Sequence, residues 1–318
     1  MAKQTKTGKA FEYALLKELE NRLTELTNVE VTKNDPYVTA KNAFDSFGEE
    51  KQEAYKINSS TAINFLLDIE PRLKHGIDDS DILRLELVSD QAGQSGDVRD
   101  VLMIRSSQNW EIGISAKNNH RAVKHSRLSQ RIDFGKKWLD VPCSDNYFAE
   151  IKPIFDNLTQ IRSSDPNSTW DVIDDMHENV YVKTLNAFAK ELRRLDESNP
   201  GIVAERMVQY LIGSIDFYKV IKGKSQVEIH GYNIHGTLNM SFQNIKPKAK
   251  IRKIRLPSRI IEIRFKEDSK TTIIVSMDQG WQISFRIHSA KSTVEPSLKF
   301  DINLISSPHS LFTTSILL

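Results

Sequence analysis

The spacing of hydrophobic residues divides the chain into a mixed N-terminal part, a helical middle and a β-rich C-terminal part. Apolar residues recur every three or four positions over residues 8–26, with charged residues between them, which predicts an amphipathic helix. A second helix is expected over residues 54–73, its end marked by Pro71 and Gly76. Residues 82–89 alternate as a strand does, and the glycine-containing run 91–96 predicts a loop.

Residues 100–117 predict two adjacent strands. The run 100–105 (DVLMIR) has the apolar character of a short buried strand, and 106–109 (SSQN) are typical of a turn. Residues 110–117 (WEIGISAK) alternate strictly, so Glu111, Ser115 and Lys117 share one face of their strand. If the two strands pair as a hairpin, Asp100 at the start of the first comes close to Lys117 at the end of the second.

The rest of the pattern changes from helical to extended near residue 224. The basic stretch 119–139 is expected to be partly helical, and residues 147–222 mainly helical, with the clearest helices at 176–195 and 204–221. From residue 226 onward, five β-rich runs separated by Gly, Asp, Ser and Pro predict an antiparallel sheet, barrel or sandwich.

We therefore expect an α/β (α+β) protein made of two or three units, since the chain is too long for one ordinary core. The expected units are a core with a mixed central sheet at residues 1–145, a helical subdomain or insertion at 146–224, and a β-rich C-terminal domain at 225–318.

Length and composition indicate a globular protein and exclude several classes. The chain has 318 residues, of which 39% are hydrophobic and 27% charged, with no repeat period or low-complexity tract. Its single cysteine, Cys143, excludes an internal disulfide framework and a cysteine-rich metal site. No apolar run approaches the roughly 18 residues of a membrane span, and the N-terminus lacks the apolar core of a signal peptide. We therefore expect a cytoplasmic protein with no membrane partner.

Positive charge is unevenly distributed, although the net charge is only +2. Seven basic residues and no acid occupy 246–259, and residues 117–131 are nearly as one-sided. Such clusters suit a polyanion such as DNA, although they are also typical of a solvated face. The candidate DNA-binding residues are His120, Arg121, Lys124, His125, Arg127, Lys248, Lys250, Arg252, Lys253 and Arg255.

Asp100 and Lys117 provide two of the groups that phosphodiester hydrolysis requires. A divalent cation held by carboxylates polarises the phosphate and acidifies a water, and an ammonium group orients the nucleophile or neutralises developing charge. Asp97 is a second candidate for the first acid, but it stands in a loop, where aspartate also caps turns. Asp100 is preferred because the apolar strand run begins immediately after it.

These residues resemble the D…(D/E)xK nuclease superfamily, in which an Asp opens one strand and an acid-x-Lys closes the next. Residues 96–105 (GDVRDVLMIR) and 110–129 (WEIGISAKNNHRAVKHSRLS) together are similar to the signature of the HaeIII family of type II restriction endonucleases. The resemblance covers about a tenth of the chain. It implies a restriction-endonuclease-like core, Mg²⁺ as cofactor, cleavage of double-stranded DNA within GGCC to leave blunt ends, and a cognate DNA methyltransferase as functional partner.

The second acid of the motif is missing. Ser115 stands where the superfamily has Asp or Glu, and a serine is a weak neutral ligand that cannot replace a carboxylate charge. Glu111 shares its face but lies roughly 13 Å along the strand, too far for the same metal. The resemblance favours Glu12, because the string GKAFE looks like the first motif of relatives whose glutamate faces the metal. Glu53 and Glu205 are weaker alternatives.

Three interpretations follow from these residues. The first is a type II restriction endonuclease, with Asp100, Lys117, Asp97 and Ser115 in its catalytic site and with Asp100 and Glu12 as metal ligands. The second is a structure-selective repair or junction-resolving nuclease, suggested by the Glu12 helix. The third is a non-catalytic DNA-binding protein on a nuclease fold, for which Ser115 is the main argument. A palindromic target suits a two-fold dimer, but a monomer that cuts the strands in turn is also compatible.

Overall fold

The computed structural model describes residues 3–78, 80–89, 97–118 and 124–318, with side chains from residue 5 onward. Its helices are α1 (Lys3–Leu23), α2 (Asp35–Asp45), α3 (Glu49–Ile69), α4 (Pro71–Lys74), α5 (Asp145–Ser164), α6 (Lys183–Ser198) and α7 (Val203–Ile212). Its strands are β1 (Asn28–Val31), β2 (Ile82–Leu87), β3 (Val101–Arg105), β4 (Trp110–Asn118), β5 (Lys124–Leu128), β6 (Phe217–Lys222), β7 (Gln226–Tyr232), β8 (Ile260–Phe265), β9 (Thr272–Met277), β10 (Gln282–His288), β11 (Leu298–Ser306) and β12 (Phe312–Leu317). This mixture of helices and sheets confirms the predicted α+β class.

The chain folds as two compact units, each assembled from separate stretches of sequence. The first comprises Met1–Arg121, Ser214–Arg255 and Ser310–Leu318, and the second comprises Ala122–Gly213 and Leu256–His309. This division differs from the sequence-based boundaries at 145 and 224. The reason is that β6, β7 and β12 pair with the sheet of the first unit, although they follow the helical block in sequence. Pairing between strands so distant along the chain leaves no local signal in the sequence.

The first unit is built on a mixed sheet in the order β1-β2-β3-β4-β6-β7-β12. The β1/β2 and β4/β6 pairs are parallel, and the other neighbouring pairs are antiparallel. Helix α1 packs on β2, β3 and β4, and α3 packs on α1 and β7. The apolar face predicted for β4, with Ile112 and Ile114 fully buried, belongs to the core formed with Phe11 and Leu15 of α1.

Strands β3 and β4 form the expected hairpin. Arg105 pairs with Trp110 next to the turn, and Val101 pairs with Ile114 at the other end. The backbone N–H of Asp100 donates to the carbonyl of Ile114 at 2.8 Å, so the ladder continues beyond β3. By this register Asp100 stands opposite Ser115, one residue along from the last pair of β3.

The second unit contains an antiparallel sheet in the order β5-β11-β10-β9-β8. Four of the five β-rich runs expected after residue 226 supply β8 to β11. Phe188 of α6 lies against Phe285 and Phe300 of this sheet, with ring centroids 5.5 and 5.2 Å apart. All three rings are fully buried in the core of this unit.

Two segments that were expected to be helical contain strands in the structure. Residues 124–128, expected to be partly helical, form β5 and pair with β11. The expected helix 204–221 ends at Ile212, where Gly213 has a φ of 97°, and its last part forms β6 in parallel with β4. The apolar run of β6 suits a buried strand or a helix equally well, and the neighbouring strand decides between them.

A buried ion pair fixes the turn end of the β3–β4 hairpin. Arg105 is fully buried, and its guanidinium lies 2.9 Å from the carboxylate of Asp81. The same carboxylate accepts hydrogen bonds from Ser107, from the Ile77 backbone and from Gln108. Burial opposes ionisation, but these hydrogen bonds and the charge of Arg105 outweigh it and lower the pKa of Asp81 to about 2.

Replacing Asp81 should destabilise the protein strongly. In Asp81→Ala the Arg105 charge remains buried without this partner, which should lower the free energy of unfolding by about 3–5 kcal/mol in urea denaturation at neutral pH. Because the pKa of Asp81 is lower in the folded protein than in the unfolded chain, its ionised carboxylate stabilises the fold fully above about pH 4. This stabilisation is lost as the pH falls through about 2. The difference between wild type and variant should therefore shrink over that range. Asp78→Ala, at a nearby exposed carboxylate, is the control, and equal stability of the two variants would contradict the assignment.

Candidate active site

Asp100 is the centre of the candidate site. Its Oδ2 accepts hydrogen bonds from the backbone N–H of Ala116 at 2.7 Å, from the Ser115 hydroxyl at 3.3 Å and from Lys117 Nζ at 3.3 Å. The side chains of Asp100 and Lys117 retain 23% and 33% of their exposure, so a substrate can reach both. The hairpin thus brings together the two residues that the sequence paired.

Glu12 reaches the same site from α1. It is buried, and its carboxylate accepts a hydrogen bond from Lys9 Nζ at 2.9 Å. Burial and the negative charge of Asp100 raise the pKa of Glu12 to about 7, against the opposing charges of Lys9 and Lys117. Helix α1 packs on β4, and the charges of Asp100 and Lys117 both act on Glu12, although α1 and β4 are far apart in sequence.

The carboxylate oxygens of Glu12 and Asp100 suit a hard divalent cation such as Mg²⁺. The negative charges of the buried Glu12 and the partly exposed Asp100 oppose each other, and a bound divalent cation would offset this repulsion. Mg²⁺ is usually held by one or two carboxylates together with waters and substrate phosphate, which matches Glu12 and Asp100. Within the described ranges, no group of three or more His, Cys, Asp or Glu side chains is placed to hold a metal, as a closed zinc site would require.

Ser115 donates a hydrogen bond to Asp100 and has a buried lysine beside it. Ser115 is itself buried, and Lys219 of β6 stands next to it in the sheet. Burial and the charge of Lys117 lower the pKa of Lys219 to about 8. Sequence reasoning missed Lys219 because its segment was expected to be helical. Only the β4/β6 pairing reveals it.

Asp97 and Glu111 belong to a separate ion-pair cluster built on Arg99. Arg99 lies 2.8 Å from Asp97 and 2.6 Å from Glu111. Its aliphatic stem covers Gly113, where a Cβ atom would come within 2.1 Å of Arg99 Cδ. Burial opposes ionisation of Asp97, but the hydrogen bonds from Arg99 lower its pKa. Asp97 is thus engaged with Arg99, and a catalytic role for it stays a prediction.

The weaker acid candidates have partners elsewhere. Glu53 is exposed and lies 3.5 Å from Lys56 on the same helix. Glu205 belongs to α7 in the second unit and accepts a hydrogen bond from Gln209 at 3.2 Å. Glu12 is therefore the acid that the structure brings to Asp100.

The candidate DNA-binding residues of the stretch 120–127 lie on β5 or outside the described residues. His120 and Arg121 fall outside them. Lys124 donates to the Tyr210 carbonyl at 2.8 Å, and His125 lies 2.8 Å from Asp301. Arg127 donates to Ser297 at 2.8 Å and lies 3.7 Å from Glu295. These three side chains already have protein partners in the second unit.

The basic residues after 246 lie in the first unit, on an irregular segment between β7 and β8. Lys248 lies 2.9 Å from Asp68. Lys250, Arg252, Lys253 and Arg255 are exposed, whereas the intervening Ile251 and Ile254 are buried. The segment therefore presents its charges outward from an apolar anchor.

A buried polar network holds this irregular segment. Fully buried Glu70 accepts hydrogen bonds from the Tyr218 hydroxyl and from the backbone of Asn239. The Asn239 side chain in turn donates to the Ala249 carbonyl at 3.0 Å and accepts from the Ile251 backbone at 2.8 Å. Long connections without regular structure are often functional, and this one is fixed by satisfied buried groups.

The structure thus presents a hydrogen-bonded Asp–Lys pair on adjacent strands and a buried glutamate on the helix that packs against them, and comparisons with known proteins identify the class of the protein. The chain belongs to the HaeIII restriction endonuclease family, whose family model matches residues 8–308. It is therefore a type II site-specific deoxyribonuclease that acts on double-stranded DNA, as the motif predicted. The chain is 39% identical over 311 residues to the type II restriction enzyme HaeIII of Haemophilus aegyptius, covering 97% of this chain and 96% of that enzyme. No solved structure matches it.

Type II restriction endonucleases generally use Mg²⁺.

Of the helices that the structure describes, none is long and apolar enough to cross a membrane.

The two glutamates near the hairpin allow a matched test of the site. Glu12→Gln should lower the rate of DNA cleavage by about 100-fold or more, because a neutral amide cannot supply the second carboxylate charge. Glu111→Gln should cleave at close to the wild-type rate, because Glu111 is paired with Arg99 and lies outside the Asp100 cluster. Single-turnover cleavage of a plasmid measures both. Equal losses in the two variants would exclude the assignment of Glu12.

Proposed function

We propose that this protein hydrolyses both strands of duplex DNA at a short palindrome in a Mg²⁺-dependent reaction, and that the target is GGCC, cut to blunt ends. The proposal rests above all on the carboxylate of Asp100, which lies 3.3 Å from the amino group of Lys117 and whose charge acts on Glu12. The target and the blunt ends are suggested by the similarity to the HaeIII family.

Asp100, Glu12 and the carbonyl of Ala116 are the proposed ligands of Mg²⁺. The bound ion would polarise the scissile phosphate and lower the pKa of a water molecule. The N–H of Ala116 and the hydroxyl of Ser115 orient the Asp100 carboxylate. Ser115 is thus a positioning residue rather than a replacement for the missing acid.

Lys117 has the charge and the position to act on the reacting phosphate. We expect its ammonium group to orient the attacking water or to neutralise the negative charge that develops on phosphorus-bound oxygens. Lys9 donates to Glu12 and favours its ionised form, which a metal ligand requires.

We propose DNA contacts in each unit separately. In the first unit, Lys250, Arg252 and Lys253 border a cavity of about 610 Å³. Lysines there suit phosphates, and arginines suit bidentate contact with guanine. Lys248 and Arg255 lie on the same segment. In the second unit the proposed contacts are Lys124, His125 and Arg127, and the sequence adds His120 and Arg121.

We further propose that a cognate DNA methyltransferase protects the target sequence in the DNA of the host. Both enzymes would act in the cytoplasm, where they meet DNA. A palindromic target suits a homodimer, and a monomer that cuts one strand after the other performs the same reaction.

Digestion of plain duplex plasmid with the purified protein and Mg²⁺ should give discrete, reproducible bands. Sequencing of the ends should show blunt cuts inside GGCC. Intact duplex DNA together with cleaved branched DNA would instead indicate a structure-selective nuclease. Binding without any cleavage would indicate a non-catalytic protein. A different recurrent sequence at the ends would reject the proposed target only.

Lys117→Ala should lower the single-turnover cleavage rate by on the order of 100-fold or more, because charge stabilisation in the transition state is lost. Ser115→Ala removes one long hydrogen bond and should have a much smaller effect. Lys41→Ala, at an exposed ion pair on α2, is the control for loss of a lysine charge. Cleavage at the wild-type rate by Lys117→Ala would show that the assignment of Lys117 is wrong.

A further inference from the structure

Three lysines lie beside the candidate active site and have no part in the reaction proposed above. Lys222 of β6 pairs with Asn118 of β4, and Asn118 directly follows Lys117. The Nζ of Lys222 lies 5.6 Å from the centre of the Tyr55 ring, and that of Lys51 lies 6.0 Å from the same centre. The two amino groups therefore lie close to the same aromatic ring, near the end of β4.

A second ring extends the group. Lys51 Nζ lies 3.6 Å from the centre of the Phe47 ring, and Lys6 Nζ lies 5.3 Å from it. Cation–π contacts of this kind hold an ammonium group in place without neutralising its charge. We refer to Lys6, Lys51 and Lys222 as the lysine cluster.

Tyr55 fixes the lysine cluster relative to the active site. Its hydroxyl donates to the Thr7 carbonyl at 3.3 Å and is hydrogen-bonded to the side chain of Asn118. Thr7 lies on α1, which also carries Glu12, and Asn118 lies on β4, which also carries Lys117. The buried Tyr55 is thus hydrogen-bonded to both α1 and β4, and its own ring lies close to Lys51 and Lys222.

The lysine cluster is electrostatically suited to an anion. Burial and the charge of Lys51 lower the pKa of Lys222, so the two ammonium groups are close enough to repel each other. An anion between them would offset this repulsion. All three lysine side chains are partly exposed, so a ligand can reach them.

We propose that the lysine cluster binds a backbone phosphate of the DNA strand being cut, next to the scissile phosphate. This inference rests on the proposed function. Asn118 directly follows Lys117 and pairs with Lys222, so the lysine cluster lies at the strand end that carries Lys117, on the sheet face against which α1 packs. A DNA strand with its scissile phosphate at Lys117 passes this strand end, where the lysine cluster meets a neighbouring phosphate. The contact would position the substrate without taking part in the chemistry.

The salt dependence of DNA binding tests this inference. Lys51→Ala and Lys222→Ala are compared with Lys56→Ala, which removes an exposed, ion-paired lysine from the same helix α3. The probe is the duplex that the wild-type protein cuts, bound in Ca²⁺ in place of Mg²⁺. Each cluster variant should bind more weakly and lower the slope of log affinity against log salt by about one, as loss of a phosphate contact does. Lys56→Ala should keep the wild-type slope.

Neutral phosphate analogues locate the contact. A single methylphosphonate is placed in turn at each position flanking the scissile phosphate, and binding by wild type and Lys222→Ala is compared. The penalty of Lys222→Ala should disappear at one position adjacent to the scissile phosphate, because the two changes remove the same interaction. Lys222→Arg keeps the charge and should restore most of the binding, which separates a phosphate contact from a folding defect.

Unchanged salt slopes in both cluster variants, or a penalty that no methylphosphonate position removes, would overturn the inference. If the wild-type protein cuts DNA while the cluster variants behave as Lys56→Ala does, the lysine cluster has no such role and the proposed function stands. If the wild-type protein neither binds nor cuts duplex DNA, the proposed function fails and the inference fails with it.

Discussion

The antiparallel pairing of β3 with β4 is the interaction on which the rest of the candidate site depends. Its register places Asp100 opposite Ser115, so that one carboxylate oxygen meets the Ala116 N–H and the amino group of Lys117. A slip of one residue would turn Asp100 to the opposite face of the sheet. The buried pair Arg105 and Asp81 holds the turn end of the hairpin, and burial of the Ile112 and Ile114 side chains against α1 holds its apolar face.

The same packing explains how the site obtains its second acid. The helix α1, whose apolar stripe packs on β4, also carries the buried Glu12, on which the charge of Asp100 acts. Burying the Glu12 carboxylate near the charge of Asp100 costs free energy, which Lys9 and Lys117 offset in part and a divalent cation would offset further. A serine at position 115 is therefore compatible with a two-carboxylate site.

The discontinuous units join two functional regions that are separated in sequence. Because β6, β7 and β12 complete the sheet of the first unit, Lys222 and the irregular basic segment belong to the unit that carries Asp100 and Lys117. The buried carboxylate of Glu70 holds Asn239, and through it the basic segment. The basic residues of the first unit that we propose to contact DNA therefore belong to the same sheet-based unit as Asp100 and Lys117.

The sequence by itself determined the α+β class, the hairpin that carries Asp100 and Lys117, and the family, because these depend on local alternation and on a contiguous motif. The role of Glu12 as a metal ligand stays a prediction, although the structure brings Glu12 to Asp100. The unit boundaries, the strands β5 and β6, and the places of Lys219 and Lys222 were decided only by tertiary structure. An apolar run such as FYKVIK is compatible with a helix or a strand, and parallel pairing with β4 selects the strand because it satisfies the backbone hydrogen bonds of both segments within one buried sheet.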